Sequence, residues 1–206
     1  MSFTPLLRRL TLLLACMAWA GAPALAQIAC PPGQRSICLA GNCLCVPGSA
    51  SDTQAVYDRV QRMTALALQN WIQQSRDRLV AGGVEPMPLH IRSQLEAFFD
   101  LAVLESAHYR VGDEVALNAG NTMLRNPDVN AVTLIDVIVF RHASDAQDNV
   151  ALWAHELKHV EQYLDWGVAE FARRYTLDYR AVEQPAYALE LEVEKALGEP
   201  AGTNSP

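Results

Sequence analysis

The sequence predicts an α+β domain, mostly helical, with a small sheet ahead of a central helix and a short disulfide-rich segment on its N-terminal side. Three observations carry this. Helix-period apolar residues recur at 52–79, 89–105 and 182–197. One run, 131–141, is dense in β-branched residues. Four of the five cysteines crowd into residues 30–45.

The first element is a targeting segment at 1–26. Arg8 and Arg9 precede an apolar stretch from Leu10 to Ala20, and Ala24-Leu25-Ala26 matches a small-residue cleavage site. The expected mature chain begins at Gln27, and its expected destination is periplasmic or secreted. The apolar stretch is too short to span a bilayer, and no later one reaches the necessary ~20 residues. Leu13-Leu14-Ala15-Cys16 offers a competing reading, a lipoprotein acylated at Cys16. The apolar stretch before Cys16 would then be very short, and apolar sequence continues past it. Without Arg8 and Arg9 the chain keeps 14 basic and 23 acidic residues, a net charge of −9, and only two of the basic residues are Lys. No basic stripe or polybasic patch exists, which argues against nucleic acid and against an anionic membrane surface as partners.

Residues 27–50 follow, with CPPGQRSICLAGNCLCVPG at 30–48. This stretch is too rich in Pro and Gly to bury a core. In an exported chain it reads as two disulfides, with three pairings open and Cys43–Cys45 the least suited because one spacer residue strains the bridge. A four-thiolate zinc site is the rival, but C-x-C and the seven-residue spacing fit zinc modules poorly.

The main domain is expected at 51–198. Its first helix, 52–79, carries Val56, Val60, Met63, Leu66/Ala67 and Trp71, and Gly82-Gly83 ends it. A second, 89–105, points Ile91, Leu95, Phe98/Phe99 and Ala102 inward. His108 to Val111 reads as a short strand before a Gly112-Asp113 turn. AVTLIDVIVFR at 131–141 reads as one strand interrupted by Asp136. A helix near 147–166 follows, with Ser144, Asp145 and Asp148 as N-cap candidates and Gly167 as C-cap. Residues 168–179 read as another helix with Phe171 and Tyr175 on one side. The last helix runs from about 182 to 197 and stops at Gly198, where Pro185 is tolerable only in the first turn. Residues 199–206 read as a disordered tail.

The chemistry sits in the central helix. His155-Glu156-Leu157-Lys158-His159 is an HExxH pentad. Residues four apart share one helix face, so both imidazoles can reach one metal ion, with Glu156 about 100° round the axis. That suits a carboxylate taking a proton from zinc-activated water. Trp153, Leu157, Val160 and Leu164 form an apolar stripe, with His155, His159 and Gln162 nearly opposite and Lys158, Glu161 and Asp165 between. A helix so divided belongs between a core and a cleft, rather than on a surface with two incidental histidines.

A catalytic zinc usually takes three protein ligands. No third His follows at short spacing, since positions 162 and 165 hold Gln and Asp. The candidates downstream are Glu170, Asp178, Glu183 and Glu190. Glu183 is preferred, because Glu183-Gln184-Pro185-Ala186-Tyr187-Ala188 places a small residue three positions on and lets two helices approach closely. Glu190, seven residues further on the same face, is the runner-up or a partner to a ligating His.

HELKHVEQY at 155–163, followed by Trp166-Gly167 and Phe171-Ala172-Arg173-Arg174-Tyr175 and preceded by the 131–141 run, resembles a group of bacterial HExxH zinc-metallopeptidase-type domains of unknown function. These are linked to extracellular contractile injection systems and secreted toxins. The resemblance covers residues 85–192 and is specific at HExxHVxQ. More broadly the chain is similar to the glutamate-type zincins. That resemblance implies a zincin-like, mostly helical domain with a small sheet, His155 and His159 as ligands, Glu156 as base and Glu183 as third ligand on the following helix.

The expected function is zinc-dependent hydrolysis of peptide bonds in a peptide or protein substrate. Tyr187, Tyr175 and His142 are open candidates for an oxyanion donor. If 131–141 is a sheet edge, an extended substrate can pair with it. The alternative is a non-catalytic zinc module that binds an envelope protein partner. Nucleophilic catalysis is not indicated: no G-x-S-x-G occurs, and the one cysteine outside the cluster, Cys16, lies in the targeting segment.

Overall fold

Residues 30–39, 42–47, 50–123 and 130–198 are described by the computed structural model. The expected targeting segment at 1–26, with Cys16, and the expected tail at 199–206 lie outside the described residues. The chain divides at Thr53/Gln54 into two units.

Among the described residues, the first unit carries a hairpin. β1 (Gln34–Leu39) and β2 (Asn42–Pro47) pair antiparallel, from Gln34 opposite Pro47 to Leu39 opposite Asn42. A disulfide joins Cys30 to Cys45. It is one of the two bridges expected from the cysteine spacing. Cys38 and Cys43 are register partners across the same hairpin.

α1 (Ala50–Ala81) belongs to the second unit from Gln54 onward and is followed by Gly83, whose φ of +92° is left-handed and suits glycine. Its buried stripe is Leu68, Ile72, Ser75 and Leu79. The stripe expected further upstream is largely in solvent: Val56, Met63 and Leu66 are exposed. The 89–105 helix is in fact two short ones, α2 (Leu89–Leu95) and α3 (Leu101–Ser106). Asp100 is extended (ψ 147°), so the second helix restarts in a new phase. Val103 and Leu104 therefore face inward, and Ala102 is exposed.

The sheet has four strands in the order β3-β4-β6-β5, where β3 is Glu85–Pro86, β4 His108–Val111, β5 Ala131–Leu134 and β6 Val137–Phe140. β4 and β6 are parallel and the other pairs antiparallel. α4 (Glu114–Met123) lies in the crossover between β4 and β6. The single strand expected at 131–141 is thus a hairpin. Asp136 does not interrupt a strand; it sits in the turn with Ile135, whose φ is +65°. Arg76 of α1 grips Asp136 through two hydrogen bonds, Nε to Oδ1 at 2.7 Å and Nη2 to Oδ2 at 2.6 Å.

Both faces of this hairpin are covered. Ala131, Ile138 and Phe140 pack into a cluster with Ile91, Leu95, Trp153, Leu157 and Val160. Val132, Leu134, Val137 and Val139 pack into another with Leu68, Ile72, Leu117 and Phe171. Burying such a side chain contributes about 1.5–3 kcal/mol, so the two clusters clamp the strands from either side.

α5 (Ala143–Asp148) precedes α6 (Val150–Leu177). α6 is capped by Asn149, whose Oδ1 accepts from the Leu152 N–H at 3.0 Å. None of the three expected cap residues fills that role, because α5 occupies their positions. Within the expected stripe, Trp153, Leu157 and Val160 are buried, but Leu164 is 54 % exposed. Gly167 (φ 72°, ψ 161°) breaks α6 into two helical halves, and the second carries Phe171 and Tyr175 inward as expected. α7 (Tyr179–Gly198) packs back along α6. Pro185 is its seventh residue, beyond the first turn. Proline cannot donate to the carbonyl four residues earlier, so the Ala181 carbonyl is left without its intrahelical donor.

Candidate metal centre

His155 and His159 stand one turn apart on α6, and α7 brings Glu183 to them. One donor atom from each lies within 4.8 Å of the others. His155 Nε2 and His159 Nε2 are each 3.4 Å from the same oxygen, Glu183 Oε2. That is too long for well-formed hydrogen bonds. Two donors about 2.05 Å from a tetrahedral ion stand about 3.3 Å apart, which is the spacing seen.

The other ends of these side chains are fixed. Glu190 Oε2 lies 3.0 Å from His155 Nδ1. Gln162 Oε1 lies 2.9 Å from His159 Nδ1, and Gln162 Nε2 donates to the Val182 carbonyl at 2.9 Å. Both acceptors draw the imidazole proton to Nδ1 and leave Nε2 for a cation. Tyr175 donates to Glu183 Oε1 at 2.7 Å. Glu183 Oε2 is buried and has no hydrogen-bond partner. An orphaned carboxylate oxygen facing two imidazole nitrogens is a donor set that fits zinc. The Tyr187 ring packs edge-on against His155, with centroids 4.6 Å apart.

Electrostatics reflect the crowding. Burial alone would lower His155, but the carboxylates of Glu183 and Glu190 outweigh it and hold the imidazole up to about 10. His159 is raised in the same way, burial opposing and Glu183 prevailing. Glu183 is held well below the usual carboxylate range, because the two imidazoles overcome its burial.

Glu156 is buried, and Thr133 of β5 supports it. The Thr133 hydroxyl lies 2.6 Å from Glu156 Oε2 and 3.1 Å from the Glu156 carbonyl oxygen. Its negative charge acts on both histidines.

The structure thus gathers His155, Glu156, His159 and Glu183, with Glu190 as a partner of His155. It does not bring the other nominated acids. Glu170 is tied to Arg173 and Arg174 on the surface, and Asp178 joins α6 to α7 and caps Ala181. Of the expected oxyanion donors, Tyr175 is committed to Glu183, and His142 is exposed at the start of α5. Thr133 and Tyr163 were missed. Thr133 has no local signal, whereas Tyr163 stands four residues beyond His159 on the same helix face. An open groove of about 410 Å³ lies elsewhere, between α1 and the second half of α6, lined by Tyr57, Gln61, Leu66, Ala169, Arg173 and Leu177. The metal-ligand cluster does not line it.

Residues 86–167 match the family model of the eCIS core domain. Those residues are similar to that domain, and the chain holds a His155-Glu156-x-x-His159…Glu183 cluster compatible with a zincin-type metal site. The match ends at Gly167, short of the span to 192 expected from resemblance, so Glu183 rests on geometry alone. No curated protein and no solved structure matches the chain.

Proposed function

We propose that this chain is a zinc-dependent peptidase. The observation that carries the reading is the donor count: among the described residues three protein groups converge, not four, beside a buried carboxylate that is not one of them. A structural zinc is closed by four protein ligands, and a catalytic one keeps a position open. His155, His159 and Glu183 would hold the ion. When bound, zinc supplies an acidified water and polarises the substrate carbonyl. Glu156 accepts the proton as water attacks and returns it to the leaving amine. Thr133 keeps the Glu156 carboxylate oriented for that transfer. Glu190 and Gln162 hold the imidazole rings, and Tyr175 holds Glu183.

β5 is an edge strand of the sheet, and Thr133 of that strand contacts Glu156. This supports an extended peptide as the substrate class. The Cys30–Cys45 bridge supports an oxidising, exported location, in keeping with the targeting segment read at 1–26. The eCIS match supports a protein substrate or partner associated with such an injection system. One observation favours the non-catalytic alternative: His155, Glu156 and His159 are 6 %, 4 % and 6 % exposed. A substrate needs an approach that a purely structural ion does not.

The test is zinc content of the purified protein, then cleavage of casein and a peptide library with and without a chelator. Glu156→Gln should abolish hydrolysis and leave zinc bound. Zinc with no cleavage, before or after mild proteolysis to release any latent form, favours the non-catalytic module.

A further inference from the structure

Among the described residues, two buried side-chain atoms lack a hydrogen-bond partner: Glu183 Oε2 and the Tyr163 hydroxyl. A metal accounts for the first. Nothing in the proposed chemistry yet uses the second. A phenylalanine would fill the same space without leaving a buried hydroxyl unpaired, so the oxygen itself calls for a purpose.

Its placement indicates one. Relative to His155, at 100° per residue, His159 projects at about 40°, Tyr163 at about 80° and Glu156 at about 100° round the helix. Tyr163 thus lies on the sector between the second histidine and the acid. Helical side chains lean toward the N-terminus, so its ring reaches back over the turn of His159, on the side of the helix where Glu156 stands one turn further on. The ring is locked there. It stacks on Phe171 at 3.9 Å between centroids and 23° between planes, and Phe171 in turn meets His159 edge-on at 6.1 Å. Burial raises the phenol well above its ordinary pKa, and the charges of Glu156 and Glu183 raise it further. The hydroxyl therefore stays protonated and able to donate, within the field of the Glu156 and Glu183 carboxylates and hydrogen-bonded to neither.

We propose that the Tyr163 hydroxyl donates a hydrogen bond to the water that Glu156 deprotonates, fixing that oxygen between the base and the Glu183 side of the metal centre. This rests on the peptidase reading and gives Tyr163 a catalytic role there. The two orphaned atoms are then complementary: an acceptor for the cation and a donor for the reacting oxygen.

The test uses the full chain, its Tyr163→Phe variant and cobalt(II) in place of zinc. Without metal, the variant should melt no lower than the wild type, since it loses only an unpartnered hydroxyl. It should bind cobalt within about twofold of the wild type, because no ligand has changed. The visible cobalt bands should shift, since they report the oxygen that has lost its donor. Peptide hydrolysis should fall about 10²-fold in kcat with KM little changed, as for removal of a comparable donor. A shifted spectrum with an inactive wild type would sustain the donor and sink the peptidase. An active wild type with unchanged spectrum and kcat in the variant would sink the donor alone. A metal-free variant melting several degrees lower would show that the hydroxyl serves the fold, and a wild type that binds no cobalt would overturn both readings.

Discussion

Gln162 and Glu190 hold the two imidazoles from different places, and the difference has consequences. Gln162 lies on the same helix as His159, is buried, and is itself pinned by the Val182 carbonyl. Glu190 reaches His155 from α7 and is partly open to solvent. Losing such a partner typically weakens metal affinity about 10–100-fold. Gln162→Ala should fall near the upper end and Glu190→Ala near the lower, as read by chelator competition. Equal losses would mean that burial does not govern the effect. The pH response follows from the same contacts. His155 without metal is raised from an ordinary 6.5 to about 10, so its stabilising pairing is complete below 6.5 and is lost as pH rises through about 10. Glu183 is shifted down, so its share is present above the usual carboxylate range and is lost only in acid. A zinc ion held there would need deprotonated imidazoles and would replace that pairing as the proton leaves. The rise in melting temperature on adding zinc should therefore be larger at about pH 9 than at about pH 6. A rise that shrinks with pH would contradict the arrangement of His155 around Glu183.

At the scale of the element, the decisive residue is Gly167. Its φ of 72° with ψ of 161° is a backbone state that non-glycine residues avoid, at a cost of about 1–3 kcal/mol. A Cβ there meets nothing within 4 Å, so the penalty of Gly167→Ala is backbone strain and not a clash. The break aims the second half of α6, which carries Tyr175 onto Glu183. Gly167→Ala should thus destabilise the protein by about 1–3 kcal/mol in urea unfolding and also weaken zinc binding. Asn149→Ala should cost about 1 kcal/mol through the lost cap, with zinc affinity unchanged, because its side chain holds the first turn of the helix at Leu152 and not the turn of the histidines. These elements also mark where the sequence was readable. Gly167 was visible as a helix end because glycine punctuates. Asn149 was not, because the acidic residues before it mimic caps and instead form α5. Pro185 broke the rule set for it: α7 begins at Tyr179, so the proline sits in the second turn, and the Val182 carbonyl beside it is taken by Gln162.

Across the whole molecule, what could be read from the chain was what is local. The two histidines and Glu156 follow from a four-residue period, and the extents of α1, β4 and the last helix from apolar spacing and glycines, although Val56, Met63 and Leu66 of the α1 stripe are exposed. The 131–141 hairpin escaped because both its faces are buried, which erases the alternation that separates two short strands from one long one. Thr133 and Glu156 are 23 residues apart, and nothing in either neighbourhood announces the contact. Glu183 was reached by reasoning about helix approach, and α7 alone puts it in place. That dependence yields a final prediction. The sheet and the first half of α6 are held by two apolar clusters that need no ion, whereas α7 is bound to α6 in part through Glu183. Of the α7 residues, only Val182, Ala186 and Val193 are buried. A metal there would clamp the least self-sufficient helix to the most buried one. Stripping zinc with a chelator should then speed amide hydrogen exchange along Tyr179–Gly198 and the second half of α6, while β5, β6 and the turn of His155 stay protected, since local opening follows local contact density. Exchange that rises everywhere together would mean that the ion supports the entire domain, and exchange that rises nowhere would mean that α7 docks without it.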